Sequence, residues 1–256
     1  MFQFTNDEID FAHKYDESPK PSSEFEKHYH DIFELYYFVR GSAFFTVEDA
    51  IYELHPGDIV FIQPGEHHFV SFHANSEYER YVLKFQENLL PHYMFERLHS
   101  RATFYYATDY MSSLFCSLDN IYEKYDNDSR NTIFKCRLLE VMALLCLEKG
   151  VEKPHKSDVT ITQIINYIGE HILEPIHLDD ICTHFHFSQS YISSKFSKFM
   201  KVSVISYART KKIMAAHRDI SAGESPTATA EKYGFTDYSS FYRAYKKIIG
   251  IAPSQR

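Results

Sequence analysis

Hydrophobic positions follow two different periods along the chain, and the first period is that of β-strands. From about residue 27 to residue 86, short runs rich in aromatic and β-branched residues alternate with turn signals such as Pro56-Gly57-Asp58 and Pro64-Gly65. Six short strands at this spacing predict an antiparallel barrel or sandwich. Residues 1–25 are polar, and we predict an irregular arm there that closes over the barrel.

The period lengthens near residue 88 to that of amphipathic helices. Apolar residues recur three and four positions apart around residues 89–100, 112–125 and 131–149. Gly150 ends this region, and the polar segment that follows predicts a linker at residues 151–158. We therefore expect a first domain at 1–150, with the barrel at about 25–87 and helices at about 88–150, and a second domain at 159–256. In the second domain the pattern predicts helices at 160–172, 177–185, 189–200, 203–220, 226–233 and 237–249.

Charge separates the same two regions. The net charge is −8, but residues 1–154 carry 14 Lys and Arg against 26 Asp and Glu, whereas residues 155–256 carry 13 against 9. An acidic module joined to a basic one is typical of a sensor attached to a nucleic-acid-binding domain. The four cysteines form no CxxC pair, and the N-terminus has no secretory pattern. We expect free thiols in the cytoplasm and no membrane span.

The second domain contains two segments with the pattern of a helix-turn-helix. In the first, Ser188 is a predicted N-cap and the following helix buries Ile192 and Phe196. In the second, Gly234 occupies the turn and Asp237 or Thr236 the N-cap. The opposite faces of both second helices are polar or basic, as required of a helix that enters the major groove of duplex DNA. The predicted DNA contacts are Gln189, Ser190, Ser193, Ser194 and Lys198 in the first unit and Tyr238, Ser239, Tyr242, Arg243, Lys246 and Lys247 in the second.

The C-terminal sequence GFTDYSSFYRAYKKIIGIAPSQR resembles the signature of the AraC/XylS family of transcription regulators, and the resemblance extends over about residues 160–256. It implies promoter DNA, RNA polymerase and a small-molecule effector as partners, activation of transcription, a homodimer and no enzymatic activity. The sequence departs from the family pattern at four positions. Lys201 replaces a usual Gly, Lys212 replaces a usual Arg, and Pro226 and Thr229 replace apolar residues.

Histidines in the first domain resemble cupin motifs. His28-x-His30-x-x-x-Glu34 matches the first motif, and the segment that ends at His67-His68 matches the second more loosely. The resemblance implies a cupin-like barrel. Three interpretations remain open: an effector pocket, a divalent metal site in a sensor or an enzyme, and histidines with only a surface or packing role. We expect no cofactor. The predicted effector site is His28, His30, Glu34, Tyr36, Phe38 and His68, with Phe61 as a further wall, and the alternative metal ligands are His28, His30, Glu34 and His68.

The helices after the barrel carry the apolar stripe Leu138, Val141, Met142 and Leu145. Such a stripe fits a core position, and in the family that this chain resembles the same region commonly forms a homodimer interface. We predict a dimer through this stripe. A carbohydrate is the expected effector, because the predicted pocket is aromatic and rich in histidine and contains no evident arginine cluster for an anion.

Overall fold

The computed structural model describes residues 1–19, 28–72, 76–99, 104–148, 150 and 156–255. The chain divides into two units, 1–156 and 157–256, and this boundary falls inside the segment predicted as the linker. Residues 20–25 of the predicted arm and residues 151–155 of the predicted linker lie outside the described residues. In the described part of the chain, no helix is long and apolar enough to cross a bilayer.

The first unit, here called the sensor unit, is built from antiparallel strands followed by helices. Its larger sheet has the strand order β1-β2-β8-β3-β6-β9, and a second sheet contains β5, β4 and β7 in that order. The strands are β1 (Phe2–Thr5), β2 (Ile9–Asp16), β3 (Phe33–Gly41), β4 (Ala43–Val47), β5 (Ala50–Glu53), β6 (Asp58–Ile62), β7 (His68–Phe72), β8 (Tyr78–Phe85), β9 (Phe104–Tyr106) and the short β10 (Lys156–Ser157). The helices are α1 (His92–His99), α2 (Asp109–Lys124) and α3 (Asn127–Leu147).

The N-terminal segment is not an irregular arm. β1 pairs with β2, and β2 pairs with β8 over its whole length, from Ile9 opposite Phe85 to Asp16 opposite Tyr78. Asn6 forms the turn between β1 and β2, because its side-chain oxygen accepts hydrogen bonds from the backbone of residues 8 and 9. The prediction was wrong because the many charges of this segment lie on strands whose alternate residues are buried.

Alternation along the strands gives the larger sheet two different faces. Odd-numbered residues of β2, β3 and β8, such as Phe11, Leu35 and Leu83, are buried against α2 and α3 in the main core of the unit. Even-numbered residues of the same strands point to the opposite side, toward the second sheet. The sheet therefore separates a helix-packed core from a second, smaller space.

The stripe on α3 belongs to that main core. Leu138, Val141, Met142 and Leu145 are at most 2% exposed and pack among the strand residues of the larger sheet. The predicted dimer interface at these four positions is wrong, because side chains that are buried within the chain offer no surface to a second copy. The core interpretation of the stripe is confirmed.

The second unit, here called the DNA-binding unit, consists of six helices close to the predicted bounds. They are α4 (Val159–Glu170), α5 (Leu178–Phe185), α6 (Gln189–Met200), α7 (Val204–Ser221), α8 (Pro226–Lys232) and α9 (Tyr238–Ile249). The central helix α7 has 18 residues, about 27 Å of helix. Its N-terminal half packs in a core with α4, α5 and α6, and its C-terminal half packs in a second core with α8 and α9.

Candidate DNA-binding face and effector pocket

The first helix-turn-helix is formed by α5 and α6. The chain leaves α5 through His186, which has a left-handed backbone with φ +57°. Ser188 then caps α6, because its hydroxyl accepts a hydrogen bond from the backbone N–H of Tyr191 at 3.2 Å. Ile192 and Phe196 are completely buried. The cap and the buried residues together fix which side of α6 faces outward.

The second helix-turn-helix is formed by α8 and α9. Pro226 occupies the first turn of α8, and the Ser225 side chain makes no capping hydrogen bond. Asp237, rather than Thr236, caps α9 and accepts from the backbone N–H of Ser240 at 2.7 Å. Thr229, one of the departures from the family pattern, is fully buried, and its hydroxyl donates to a backbone carbonyl of the preceding turn at 2.9 Å.

The residues predicted to contact DNA lie on the accessible sides of α6 and α9. Ser193 and Tyr242 are half-buried, whereas the others are exposed: Gln189, Ser190, Ser194, Lys198, Tyr238, Ser239, Arg243, Lys246 and Lys247. The side chain of Gln189 donates to Asp179 on α5, and Arg243 donates to the hydroxyl of Ser240 at 3.3 Å. The structure places these groups on the outward faces of the two helices.

The turn of the second helix-turn-helix packs against the loop that follows α4. Gly234 has φ +70°, and a Cβ atom at this position would lie 2.9 Å from the backbone carbon of Glu174 and from the backbone nitrogen of Pro175. The buried ammonium of Lys212 donates to the backbone carbonyls of Glu174 and Tyr233. Lys212, which replaces the usual Arg, thus ties this loop to the end of α8. Its burial lowers its pKa to about 8, against the opposing effect of Glu174.

The space between the two sheets of the sensor unit is a pocket with a cavity volume of about 90 Å³ that is partly open to solvent. Cross-strand registers arrange its floor in rows, in which Lys84 lies between Asp10 and Glu34, and Val82 lies between Ala12 and Tyr36. The apolar part of the wall is mainly aromatic. It consists of Tyr36, Phe45, Phe69, Val70, Tyr78 and Val82.

Three histidines and one glutamate meet beside this pocket: His28, Glu34 and His68 line it, and His30 contacts Glu34 without lining it. The backbones of His28 and His68 exchange hydrogen bonds of 3.1 and 3.0 Å, which brings the segment before β3 against β7. His30 Nε2 lies 2.9 Å from Glu34 Oε2, and His68 Nε2 lies 3.7 Å from the same oxygen. One ligand atom from each of His28, His30, Glu34 and His68 lies within 4.8 Å of all the others.

Glu34 is the buried anion of this group. Burial raises the pKa of a carboxyl, but the hydrogen bonds from His30 and His68 and the nearby charge of Lys84 outweigh it, and they hold the pKa of Glu34 well below its usual value. The Lys84 ammonium lies 3.3 Å from Glu34 Oε2. The carboxylate therefore remains charged over the physiological range and attracts cations.

Two family models match the chain. An AraC-like ligand-binding domain matches residues 15–130, and a helix-turn-helix domain matches residues 181–256. The chain belongs to the AraC/XylS family of transcription regulators. The two matched domains correspond to the unit that contains the pocket and the unit that contains the paired capped helices.

Sequence relatives support the same family assignment. An uncharacterized HTH-type transcriptional regulator of Escherichia coli strain K12, YdiP, is 26% identical across 93% of this chain and 82% of its own length. The arabinose operon regulatory protein of the same organism is 26% identical across 85% of this chain and 77% of its own length. These relatives are transcription regulators, and the interpretation of the chain as a regulator rather than an enzyme is confirmed.

Among solved structures, ToxT from Vibrio cholerae O395 is similar to this chain with a TM-score of 0.41 and 12% identity, over 98% of this chain and 97% of ToxT.

Two of the apolar residues predicted for the effector site do not line the pocket. Phe38 points to the pocket side of β3 but is completely buried beneath it, against Tyr78. Phe61 lies on the opposite face of the larger sheet and stacks on Phe33, with ring centroids 5.5 Å apart. Phe38 is enclosed in a buried cluster with Tyr78, and strand register turns Phe61 toward the helices, so neither residue lines the pocket.

The pocket of this AraC/XylS regulator contains cations that the sequence reasoning missed. Lys14, Arg80 and Lys84 all line it, and Arg80 is only 2% exposed. The guanidinium of Arg80 pairs with Asp16 and lies 4.5 Å from the ring centroid of Tyr78. The alternation of polar and apolar residues in β2 and β8 could have indicated that these cations share a face. Only the register between the strands, however, brings them together.

Proposed function

We propose that the protein is a sequence-specific regulator of transcription that binds duplex DNA through α6 and α9 and a small-molecule effector through the sensor-unit pocket. The observation that carries this proposal is the pair of capped helices, each with a buried apolar face and an exposed polar face, joined by the single helix α7. Two such helices on one connector suit two successive major-groove segments, about 34 Å apart.

The residues proposed to contact DNA differ in their expected contribution. Arg243 carries a guanidinium on the exposed face of α9. A guanidinium can form two parallel hydrogen bonds with guanine or bind a phosphate. Lys198, Lys246 and Lys247 lie nearer the C-terminal ends of their helices and suit phosphate contacts. The small hydroxyls of Ser190, Ser193 and Ser194 leave α6 more dependent on backbone contacts and DNA shape.

The test is a binding-site selection on genomic DNA with the full-length protein, followed by affinity measurements on the selected sequence. Arg243→Ala is expected to weaken specific binding by about 1–3 kcal/mol, which is roughly a 5- to 150-fold rise in Kd. Arg137→Ala, which removes the same charge from a half-buried position on α3 in the sensor unit, is the control. Equal affinities for Arg243→Ala and the parent protein would contradict the placement of α9 in the groove.

We propose a carbohydrate as the effector, because the pocket combines charged groups of both signs with aromatic rings. The rows of the pocket alternate Asp10, Lys84 and Glu34, and such mixed charges supply both donors and acceptors for hydroxyl groups beside the aromatic rings of Tyr36 and Tyr78. One relative is named for an arabinose operon. A screen of neutral sugars against sugar acids by thermal shift tests this choice, and a response to the acids alone would refute it.

Dimerisation, activation and contact with RNA polymerase belong to the same proposal. Two copies on a repeated operator would raise the effective concentration of each DNA-binding unit. Sedimentation of the protein with and without operator DNA tests the dimer, and a reporter assay with and without the gene for the regulator tests activation. Because the α3 stripe is buried, the dimer surface must lie elsewhere on the chain.

A further inference from the structure

Helix α6 ends in a left-handed residue that is not a glycine. Lys201 has φ +57°, and its backbone N–H donates to the carbonyl oxygen of Ser197 at 2.9 Å. In a left-handed backbone the Cβ atom crowds the following carbonyl oxygen, so glycine is the usual residue at this kind of helix end. In the described part of the chain, the non-glycine residues with a positive φ are Glu48, His186 and Lys201. Lys201 therefore occupies a conformation that disfavours its side chain.

The core on both sides of Lys201 requires this conformation. Met200 is completely buried and Val204 is 2% exposed, and both pack in the core that α4, α5 and α6 share with the N-terminal half of α7. The chain therefore turns sharply between the two helices without leaving the core. A different residue at position 201 would face the same backbone geometry.

The corresponding position of the second helix-turn-helix shows the unstrained alternative. Helix α9 also ends in a left-handed residue, but this residue is Gly250, with φ +91° and an N–H that donates to the carbonyl oxygen of Lys246 at 3.0 Å. The last turns of α6 and α9 already contain Lys198 and Lys246, so each negative helix end faces a cation without help from the cap residue. Stability of the helix end does not explain a lysine at position 201.

The side chain of Lys201 extends the outward row of α6. Residues spaced four, four and three positions apart lie along one side of a helix. This spacing relates the exposed residues Ser190, Ser194, Lys198 and Lys201. The row therefore runs from the small hydroxyls proposed to face the groove to two ammonium groups at the end of the helix.

The charge around this row favours a polyanion. Residues 189–218 contain no Asp or Glu and seven Lys or Arg, although the net charge of the whole chain is −8. Lys195, on a neighbouring side of α6, pairs with Asp158 at 2.9 Å. Within the described residues, Lys198 and Lys201 have no such carboxylate partner. Two exposed ammonium groups three residues apart suit the closely spaced phosphates of duplex DNA.

We propose that Lys201 binds a phosphate of the DNA backbone, next to the phosphate contact proposed for Lys198, when α6 lies in the major groove. Strained residues are concentrated at functional sites, and here the strained residue places a charge just beyond the end of α6. The inference rests on the proposed function, because it requires α6 to face duplex DNA. The contact adds affinity that does not depend on base sequence.

The experiment measures Kd for full-length parent protein and Lys201→Gly on the selected operator and on a random-sequence duplex, at about 50 to 200 mM NaCl. Loss of one phosphate contact should reduce the slope of log Kd against log salt concentration by about 0.9 on both duplexes. Over this fourfold salt range, that difference changes the ratio of the two Kd values roughly threefold. Lys201→Gly should therefore bind at least about threefold more weakly at the lowest salt concentration.

Stability should not fall together with affinity. Lys201→Gly removes the crowded Cβ atom, so its urea midpoint should equal or exceed that of the parent protein. A lower midpoint would show that the lysine stabilises the fold, and it would overturn the proposal. Lys201→Arg keeps the charge and should keep the salt slope of the parent. Lys124→Gln, which removes an exposed lysine from the last turn of α2, is the matched control and should bind DNA like the parent.

The two duplexes separate this inference from the proposed function. An unchanged slope for Lys201→Gly, together with weaker operator binding by Arg243→Ala, would overturn the inference and support the proposed function. A reduced slope on the random duplex, without any selected operator, would support the phosphate contact and refute sequence-specific recognition. A parent protein that binds neither duplex would overturn both.

Discussion

Gly234 should be one of the least replaceable residues of the DNA-binding unit. It lies in the turn between α8 and α9 with φ +70°, and its Cα faces the backbone of the loop after α4. Gly234→Ala adds a methyl group whose carbon would lie 2.9 Å from two backbone atoms and 3.0 Å from the carbonyl oxygen of Leu173. Backbone atoms cannot rotate away as a flexible side chain can, so the loop or the turn must move.

The expected loss has two parts. A left-handed backbone costs an alanine about 1 kcal/mol relative to glycine. Forcing an extra methyl into a packed contact typically costs about 1–3 kcal/mol more. Gly223 offers a matched control, because it has φ +110° after α7 and open space where its Cβ would lie. We therefore expect Gly223→Ala to lose about 1 kcal/mol of stability and Gly234→Ala to lose about 2–4 kcal/mol.

The assay is urea unfolding of the full-length variants by circular dichroism, with hydrogen exchange of peptides from α8 and α9 to assign the transition to the DNA-binding unit. Gly234→Ala should also weaken operator binding, since the displaced turn carries the cap of α9. If Gly234→Ala and Gly223→Ala unfold at the same urea concentration, the close packing of the turn against residues 173–175 is refuted.

Three buried or half-buried polar groups give further tests. The lowered pKa of Lys212, about 8 against 10.5 for an ordinary lysine, means that the unfolded chain binds more protons between these values. Unfolding free energy should therefore rise with pH across this window by up to about 3 kcal/mol relative to Lys212→Met, and parallel profiles in urea would refute it. Thr229→Val should change stability by less than about 1 kcal/mol, because the carbonyl that its hydroxyl contacts also accepts a backbone N–H; a larger loss by thermal melting would show that the hydroxyl is required. Burial alone would raise the pKa of Asp119, but hydrogen bonds from His13 and Tyr81 lower it. Its contribution is then present above about pH 3.9 and is lost as the pH falls through the lowered pKa of Asp119, so melting curves of Asp119→Asn and the parent should differ at pH 7 and converge below that pKa.

Local rules were sufficient to predict the helices of the DNA-binding unit. The boundaries of α6 and α9 follow from caps that lie within three residues of the groups they bind, namely Ser188 and Asp237. The predicted ranges 189–200 and 237–249 differ from the observed helices by at most one residue. At α8 the local rule is less specific: Ser225 precedes the helix, which begins where expected, but its side chain makes no capping hydrogen bond.

Long-range pairing decides what local rules cannot. Phe2, Phe4, Ile9 and Phe11 alternate with polar residues on both sides of the turn at Asn6, which is the pattern of a hairpin. The charges between them favoured an irregular arm because a sequence does not show which face of a strand will be covered. Only the pairing of β2 with β8 reveals that one face meets the helices and the other forms the pocket floor.

The same pairing explains how a ligand in the pocket can affect the helices of the sensor unit. On β8, Arg80 and Lys84 face the pocket, while Tyr81, next to Arg80, faces the other way and donates a hydrogen bond to Asp119 on α2. A ligand that shifts β8 moves both faces together, because alternate residues share one backbone. An effector changes DNA binding only by the difference between its affinities for two arrangements of the chain. Contacts on alternate residues of one strand supply such a difference directly, since any displacement that improves binding at Lys84 also changes the contact of Tyr81 with α2.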